Sequence, residues 1–320
     1  MKTALKILAA AVLLSAAGAA FANDKVMIGE PNWPGAKIVA NLLRTVITTR
    51  LGGQVALVPG TNPVIFAAMD GGKGDIDVHP DVWLPNQKSL TDKYVDASKT
   101  VALSKGSYSG RAGFCVPTYM VKEHKIKSVY DLATPEAQKL FDADGDGKGE
   151  IWIGAAGWAS TAIHQVKVRD YGIGSFLEPT KEDEAVFFAK LASQIAKKKG
   201  VAFYCYTPHY VHRLHDVTML DEPAFDSAKY KMVQPNEDAD WLNKSKITVG
   251  DSPKFVHVAY SKSLERRAPD VARFLANIKL ETELVSEWTR AVVVDKKEPA
   301  DVVKAWVAAN PKVVDRWLGL

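Results

Sequence analysis

Four aromatic residues stand in turns at the ends of apolar runs instead of on periodic faces. Trp33 lies in Pro31-Asn32-Trp33-Pro34-Gly35 and Trp83 in Asp81-Val82-Trp83-Leu84-Pro85, each after a strand-like run. Trp158 lies in Gly157-Trp158-Ala159-Ser160, just before a helical pattern beginning near Thr161, and Tyr206 ends the run that precedes Thr207-Pro208. Any one of these rings alone reads as core or lid packing. Open α/β sheets hold ligands at the carboxyl ends of their strands, so four rings placed this way can face one cleft. The backbone N–H groups near Ala159, Ser160 and Thr161 start a helix and suit an anion.

Catalytic signatures are absent or broken. The chain contains no H-E-x-x-H, no phosphate-binding P-loop and no paired-cysteine zinc motif. Gly106-Ser107-Tyr108-Ser109-Gly110 has the glycines of a nucleophile elbow but carries Tyr108 where the serine belongs. His79-Pro80-Asp81 offers an acid and a base with no nucleophile beside them, and the pair reads as turn and capping hydrogen bonds after a strand. Glu30 and Arg111 read as local salt-bridge or hinge residues, with contact to a ligand as the other reading. A secreted hydrolase is nevertheless the rival class against a binding protein, and turnover of the captured compound would reveal it. Asp142-Ala143-Asp144-Gly145-Asp146-Gly147 opens like a calcium loop, with Glu150 at the ninth position. Ile153 stands where the bidentate glutamate belongs, so the loop is either a structural calcium site held by Asp142, Asp144, Asp146 and Glu150 or a solvated acidic turn.

These residues need a scaffold and a compartment. Lys2 and Lys6 precede an apolar run from Ile7 to Leu14, and Ala20-Phe21-Ala22 is a small-x-small cleavage pattern, so residues 1–22 read as a secretory signal peptide. Losing the two leader lysines lowers the net charge from +4 to +2, a balance that argues against nucleic acid as a partner. Cys115 and Cys205 then meet an oxidising compartment, where they are either bridged or buried as free thiols. Val26 to Gly29, Val55 to Val58 and Ile76 to Val78 read as strands that alternate with helical patterns at Ala36 to Leu51 and Val64 to Met69. Such alternation predicts an α/β architecture with a largely parallel sheet. The pattern breaks at Gly106 to Gly113 and again at Thr207-Pro208, which predicts two lobes joined by two crossovers: 23–110 plus 213–320, and 111–212.

Over nearly its whole length after the leader, the chain resembles the periplasmic substrate-binding proteins that serve ABC importers of glycine betaine, choline and related osmolytes. The resemblance rests on Trp83-Leu84-Pro85, Lys139 to Gly147, Gly157-Trp158, Tyr206-Thr207-Pro208 and a tail from Ala305-Trp306 to Trp317-Leu318. It implies a two-lobed binding-protein fold of type II, a monomer working with a membrane permease in the periplasm, and no catalysis. It also implies that Trp83, Trp158 and Tyr206, with Trp33 as in choline binders, enclose a methylated nitrogen. Each desolvated ring contributes about 2 kcal/mol to such a cation, so three or four supply most of the roughly 8 kcal/mol of micromolar binding. Two positions depart from the pattern. Tyr206 stands where an indole is usual, and Gln87 stands where one betaine-binding branch has a histidine against the carboxylate. Asn32-Trp33-Pro34 with Trp83 to Gln87 also resembles a branch associated with trimethylamine N-oxide. The expected ligand is glycine betaine, with trimethylamine N-oxide, choline and carnitine as alternatives, held by Trp33, Trp83, Trp158, Tyr206, Ala159, Ser160 and Gln87.

Overall fold

The computed structural model describes residues 25–320, so the expected leader lies outside the described residues. Val26–Glu30 (β1) is an apolar run whose Val26 and Ile28 are buried, and it pairs in parallel with Val55–Pro59 (β2) and with Val78–Leu84 (β3). Between β1 and β2 runs the helix Pro34–Arg50. Pro34 suits its first turn, where a backbone N–H has no intrahelical acceptor. Ile38, Leu42, Leu43 and Val46 of this helix are fully or almost fully buried, and its neighbours include the C-terminal helices Thr282–Val293 and Pro299–Ala309. No helix among the described residues is long and apolar enough to cross a membrane.

The chain leaves this half through Val101–Leu103 (β4) and Tyr108–Pro117 (β5). In the second half Gly149–Trp152 (β6) pairs in parallel with Leu177–Thr180 (β7) and Ala202–Thr207 (β8). Val217–Met219 (β9) returns beside β5, and Tyr230–Lys231 (β10) with Lys246–Ile247 (β11) form a small antiparallel pair. Lys254–Ser261 (β12) then runs back into the first half. The sheet order is β2-β1-β3-β12-β5-β8-β6-β7, with β4 on β12 and β9 on β5.

The α/β alternation is therefore present, but the sheet is mixed and not mainly parallel. Parallel pairing is confined to β2-β1-β3 and β8-β6-β7, while β5 and β12 run antiparallel to their neighbours. These are the strands that carry the chain between halves, so each traverses the sheet against the strands already there. β5 changes partner within its own length: Tyr108 to Gly110 face β12, and Arg111 to Cys115 face β8. A side chain at Gly110 would put its Cβ 2.6 Å from the Trp83 ring and 2.9 Å from the Thr207 carbonyl, so the exchange of partners requires a glycine there. Residues 217–219 pair with β5, and Ile247 packs with Tyr230, Trp241 and Leu242 on Ile163 and Val166 of the helix Ala159–Asp170.

A buried ion network closes the base of the two crossings. Lys167 Nζ lies 2.8 Å from Asp251 and 3.0 Å from Glu222, and Lys254 Nζ lies 2.9 Å from Asp251 and 2.8 Å from the Asn86 carboxamide oxygen. Burial alone would raise the Asp251 carboxyl, but Lys167 and Lys254 hold it well below the usual carboxylate range.

Cys115 and Cys205 are bridged, which settles the two open readings in favour of the disulfide. Gly113 faces Cys205 and Cys115 faces Phe203, so the bridge spans β5 and β8 diagonally, with both cysteines fully buried. The bridge joins residues 90 apart in sequence, and a loop of that size restricts the unfolded chain by about 4–5 kcal/mol. The double variant Cys115→Ser with Cys205→Ser is expected to lower the unfolding free energy by about 2–5 kcal/mol in denaturant titration; an unchanged midpoint at unchanged slope would show that the bridge contributes nothing.

Candidate functional site

β1, β3, β8 and the helix Ala159–Asp170 point their ends at one place, where the two halves of the sheet meet. Trp33 is the residue just before the helix Pro34–Arg50, and Trp158 the one just before Ala159–Asp170. Trp83 and Tyr206 are the penultimate residues of β3 and β8, each followed closely by a cis prolyl bond, Leu84–Pro85 and Thr207–Pro208. The rings follow one another at right angles. Trp33 meets Trp158 at 5.8 Å and 79°, Trp158 meets Tyr206 at 6.5 Å and 84°, and Tyr206 meets Trp83 at 5.5 Å and 84°. All four are at most 8% exposed. They wall a cavity of about 350 Å³ that also takes in Asn62, Asn86, Gln87, Ala159, Ser160 and Tyr204. All seven residues expected at the site therefore line one cavity, and no lysine, arginine or carboxylate is among the lining residues.

The polar edge of every ring points away from this space. Trp33 Nε1 donates to Asp81 Oδ2 at 2.5 Å, and Trp83 Nε1 donates to the same oxygen at 3.0 Å. Trp158 Nε1 donates across the halves to Asn32 Oδ1 at 2.6 Å. The Tyr206 hydroxyl donates to Glu184 Oε1 at 2.8 Å, which also takes a bond from His209 Nε2 at 2.7 Å. What the rings offer inward is π face and apolar surface.

Asp81, which reads from the sequence only as a turn and capping residue, is the hub of these bonds. It is fully buried and accepts three side-chain bonds, the third from the Tyr108 hydroxyl. Burial pushes its carboxyl up, against the pull of Tyr108, Trp33 and Trp83. Its signal was available: Asp81 and Trp83 are two apart on a strand and so share a face. The expected turn after a strand is not there: His79 and Asp81 both lie within β3. His79 Nδ1 accepts the Asp81 backbone N–H at 3.1 Å, so Nε2 carries the proton and donates to Asn62 Oδ1 at 2.9 Å. Tyr204 and Glu184 were also missed. Tyr204 shares the inward face of β8 with Tyr206, stacked at 5.5 Å, and Glu184 reaches the site from a distant helix, Glu184–Ala196.

The lining also includes polar groups. Ala159 and Ser160 open their helix, where N–H groups have no intrahelical acceptor. The Thr161 N–H, expected beside them, is taken by the Trp158 carbonyl at 3.2 Å. Gln87 is 2% exposed, and its Oε1 has no hydrogen-bond partner. Arg111 is exposed on β5 and does not line the cavity.

The acidic loop stands apart from this site. Carboxylate oxygens of Asp142, Asp144, Asp146 and Glu150 lie within 4.8 Å of one another. Backbone N–H groups of Gly145 and Gly147 donate to Asp142, and that of Ala143 donates to Glu150. Burial raises the Glu150 carboxyl, and Asp144, Asp142 and Asp146 crowd it further in the same direction. Ile153, at the twelfth position, is fully buried in the core of the second half, so it can contribute no oxygen.

An aromatic box closed by rings from both halves of an α/β sheet, with no catalytic constellation beside it, defines a solute-binding domain. Residues 24–309 match the family described as the substrate binding domain of ABC-type glycine betaine transport systems, and the chain belongs to that family, which is one of binding proteins and not of enzymes. The chain is 24% identical over 218 residues to the glycine betaine/proline betaine-binding periplasmic protein of Salmonella typhimurium, and 24% over 218 residues to the glycine betaine-binding periplasmic protein OusX of Dickeya dadantii. Each match covers 66% of this chain and 64% of the relative. Among solved structures, a choline binding protein in complex with choline superposes with a TM-score of 0.72 at 17% identity, covering 93% of this chain and 92% of that one. Lactococcal OpuAC, closed and complexed with glycine betaine, superposes with a TM-score of 0.69 at 20% identity over 92% of this chain and 99% of that one.

His79 and, on the helix behind the site, His164 are fully buried, and burial pushes each imidazole down to about 3. Both are lowered, so the stability tied to their neutral forms is complete above the unfolded value near 6.5 and is lost as pH falls from there toward 3. Unfolding free energy is expected to drop by about 2 kcal/mol per histidine between pH 7.5 and 5. Denaturant titrations at the two pH values check this, and His79→Asn should remove about half of the change.

Proposed function

We propose that the protein captures a methylated ammonium zwitterion, glycine betaine in the first place, and delivers it in the periplasm to the permease of an ABC importer. The observation that carries this reading is the outward direction of every ring's polar edge. The four rings themselves present faces and no acceptor atom to a primary ammonium. They suit a quaternary nitrogen, which has no proton to donate and is held by ring quadrupoles and apolar contact. A ligand oxygen finds donors in the free N–H groups at Ala159 and Ser160 and the Ser160 hydroxyl. Gln87 reaches a carboxylate only through its Nε2 donor, since its unpartnered Oε1 is an acceptor. The names of the relatives, which bind glycine betaine or proline betaine in the same family, support the same ligand class.

Trp33 and Trp83 come from one half, Trp158 and Tyr206 from the other, so the ligand completes its contacts only when two lobes close about β5 and β12. Closure by differential contact is the step the permease would read. The same lobe holds the acidic loop, where we place a structural calcium on Asp142, Asp144, Asp146 and Glu150.

Calorimetry across glycine betaine, trimethylamine N-oxide, choline and carnitine is expected to show micromolar binding of glycine betaine without turnover. Trp158→Ala should weaken it by about 30-fold, one ring's worth at about 2 kcal/mol, while the thermal melt stays cooperative; unaltered affinity would remove Trp158 from the site. Calcium at millimolar concentration should raise the melting midpoint by a few degrees, as a ligand of the native state does, with reversal by a chelator and no shift in Asp144→Asn. A midpoint indifferent to calcium would make the loop a solvated acidic turn.

A further inference from the structure

Asp81 does more than hold two rings. Its carboxylate is fully buried, and its side-chain partners are Trp33, Trp83 and Tyr108. An indole N–H can only donate, so two of these three partners demand an acceptor. No lysine or arginine is among the groups that act on it. His79, which touches its backbone, is neutral down to about pH 3. An ionised Asp81 places a negative charge directly behind two walls of the box, and among the described residues no lysine or arginine acts on it. Carboxylate acceptors at the ring edges also polarise the indoles, which adds electron density to the faces turned inward. The field crosses the box: besides burial, Glu184 and Tyr204, Asp81 is among the groups that raise the Tyr206 phenol on the opposite wall.

We infer that Asp81 is a specificity-determining residue, whose uncompensated charge selects a permanently cationic trimethylammonium head over a neutral head of the same shape. This rests on the proposed ligand class and adds the physical basis on which that class is chosen. The bound cation supplies the counter-charge that the fold withholds. The charge acts in addition to the ring faces, which already favour a cation; an apolar pocket alone would discriminate charge far less.

The placement of the bonds provides a clean substitution. Both indoles donate to Oδ2, and the hydroxyl that can also accept, Tyr108, faces Oδ1. In Asp81→Asn the carboxamide oxygen can take the two indoles while the NH₂ donates to a turned Tyr108 hydroxyl. Anchorage is kept and only the charge is lost. The probes are glycine betaine and 3,3-dimethylbutanoate, in which a tert-butyl group replaces the trimethylammonium group and the carboxylate end is unchanged. Calorimetric titration of the full chain without its leader is expected to show glycine betaine weakened at least tenfold in Asp81→Asn, with 3,3-dimethylbutanoate unchanged or tighter. Retained binding of the neutral-headed probe, together with a melt within a few degrees, reports that the box is intact. If both probes weaken by the same factor, or neither changes, Asp81 only positions the rings and the inference is overturned. If the unaltered protein binds no member of the methylated-ammonium panel, the proposed function itself fails, a result visible before any variant is made.

Discussion

The site depends on a carboxylate buried without a basic partner. Asp81 must be satisfied by hydrogen-bond donors alone, because a bare buried anion costs far more than the fold can supply. Its donors come from three separate places: Trp33 after β1, Trp83 on Asp81's own strand, and Tyr108 at the start of β5. Satisfying Asp81 therefore brings the end of one strand, the wall of a second and the entry of a crossing strand to a common point. Trp83 in turn leans on Gly110, the residue at which β5 exchanges one half of the sheet for the other. Local charge satisfaction and long-range topology meet in the same few side chains.

The second half repeats the device. Tyr206 is tied by its hydroxyl to Glu184, which sits at the first turn of its helix, where the helix dipole favours a carboxylate. Trp158 is tied to Asn32 of the opposite half. The two halves are also joined behind the box through Lys254, which bonds Asn86 beside the cavity and pairs with Asp251 at the return crossing. Asp251 pairs further with Lys167. Breaking such a network by removing one partner costs several kcal/mol, because a buried charge is left behind. Motion between the halves is consequently expected at the strand exchange in β5 and not within the ion network.

The alternation of strands and helices and the gathering of Trp33, Trp83, Trp158 and Tyr206 were legible in the sequence because they rest on local signals: apolar runs, turn residues and rings placed where runs end. Strand direction was not. Whether β5 and β12 run with or against their neighbours is set by where the chain re-enters the sheet, which no local pattern encodes. The end of the second stretch is hard to read for a related reason. Thr207-Pro208 is a strong break, yet β9 and the pair β10-β11 still belong to the second half by pairing and packing. Buried polar residues were the least legible. Lys167, Lys254, Asp251 and Glu222 look like solvated charges in sequence, and their burial follows only from partners far along the chain. The cysteines were undecided because two apolar strands fit a bridge and a pair of thiols equally well, and only the diagonal placement across β5 and β8 distinguishes them.

Preorganisation is what the outward-facing polar edges accomplish together. A side chain ordered on binding costs about 0.5–1.5 kcal/mol, which would consume much of the roughly 2 kcal/mol a desolvated ring returns against a cation. Here each ring is fixed by a hydrogen bond on its far side, and each is packed at near right angles to the next, so little rotamer freedom remains to be lost. The bond from Trp158 to Asn32 joins the two halves and so exists only while they are together. The ordering cost is thereby moved from the individual rings to a single collective event, the approach of the halves. Three walls are set by bonds within a half and the fourth by a bond across the halves, so the proposed closure would complete the box.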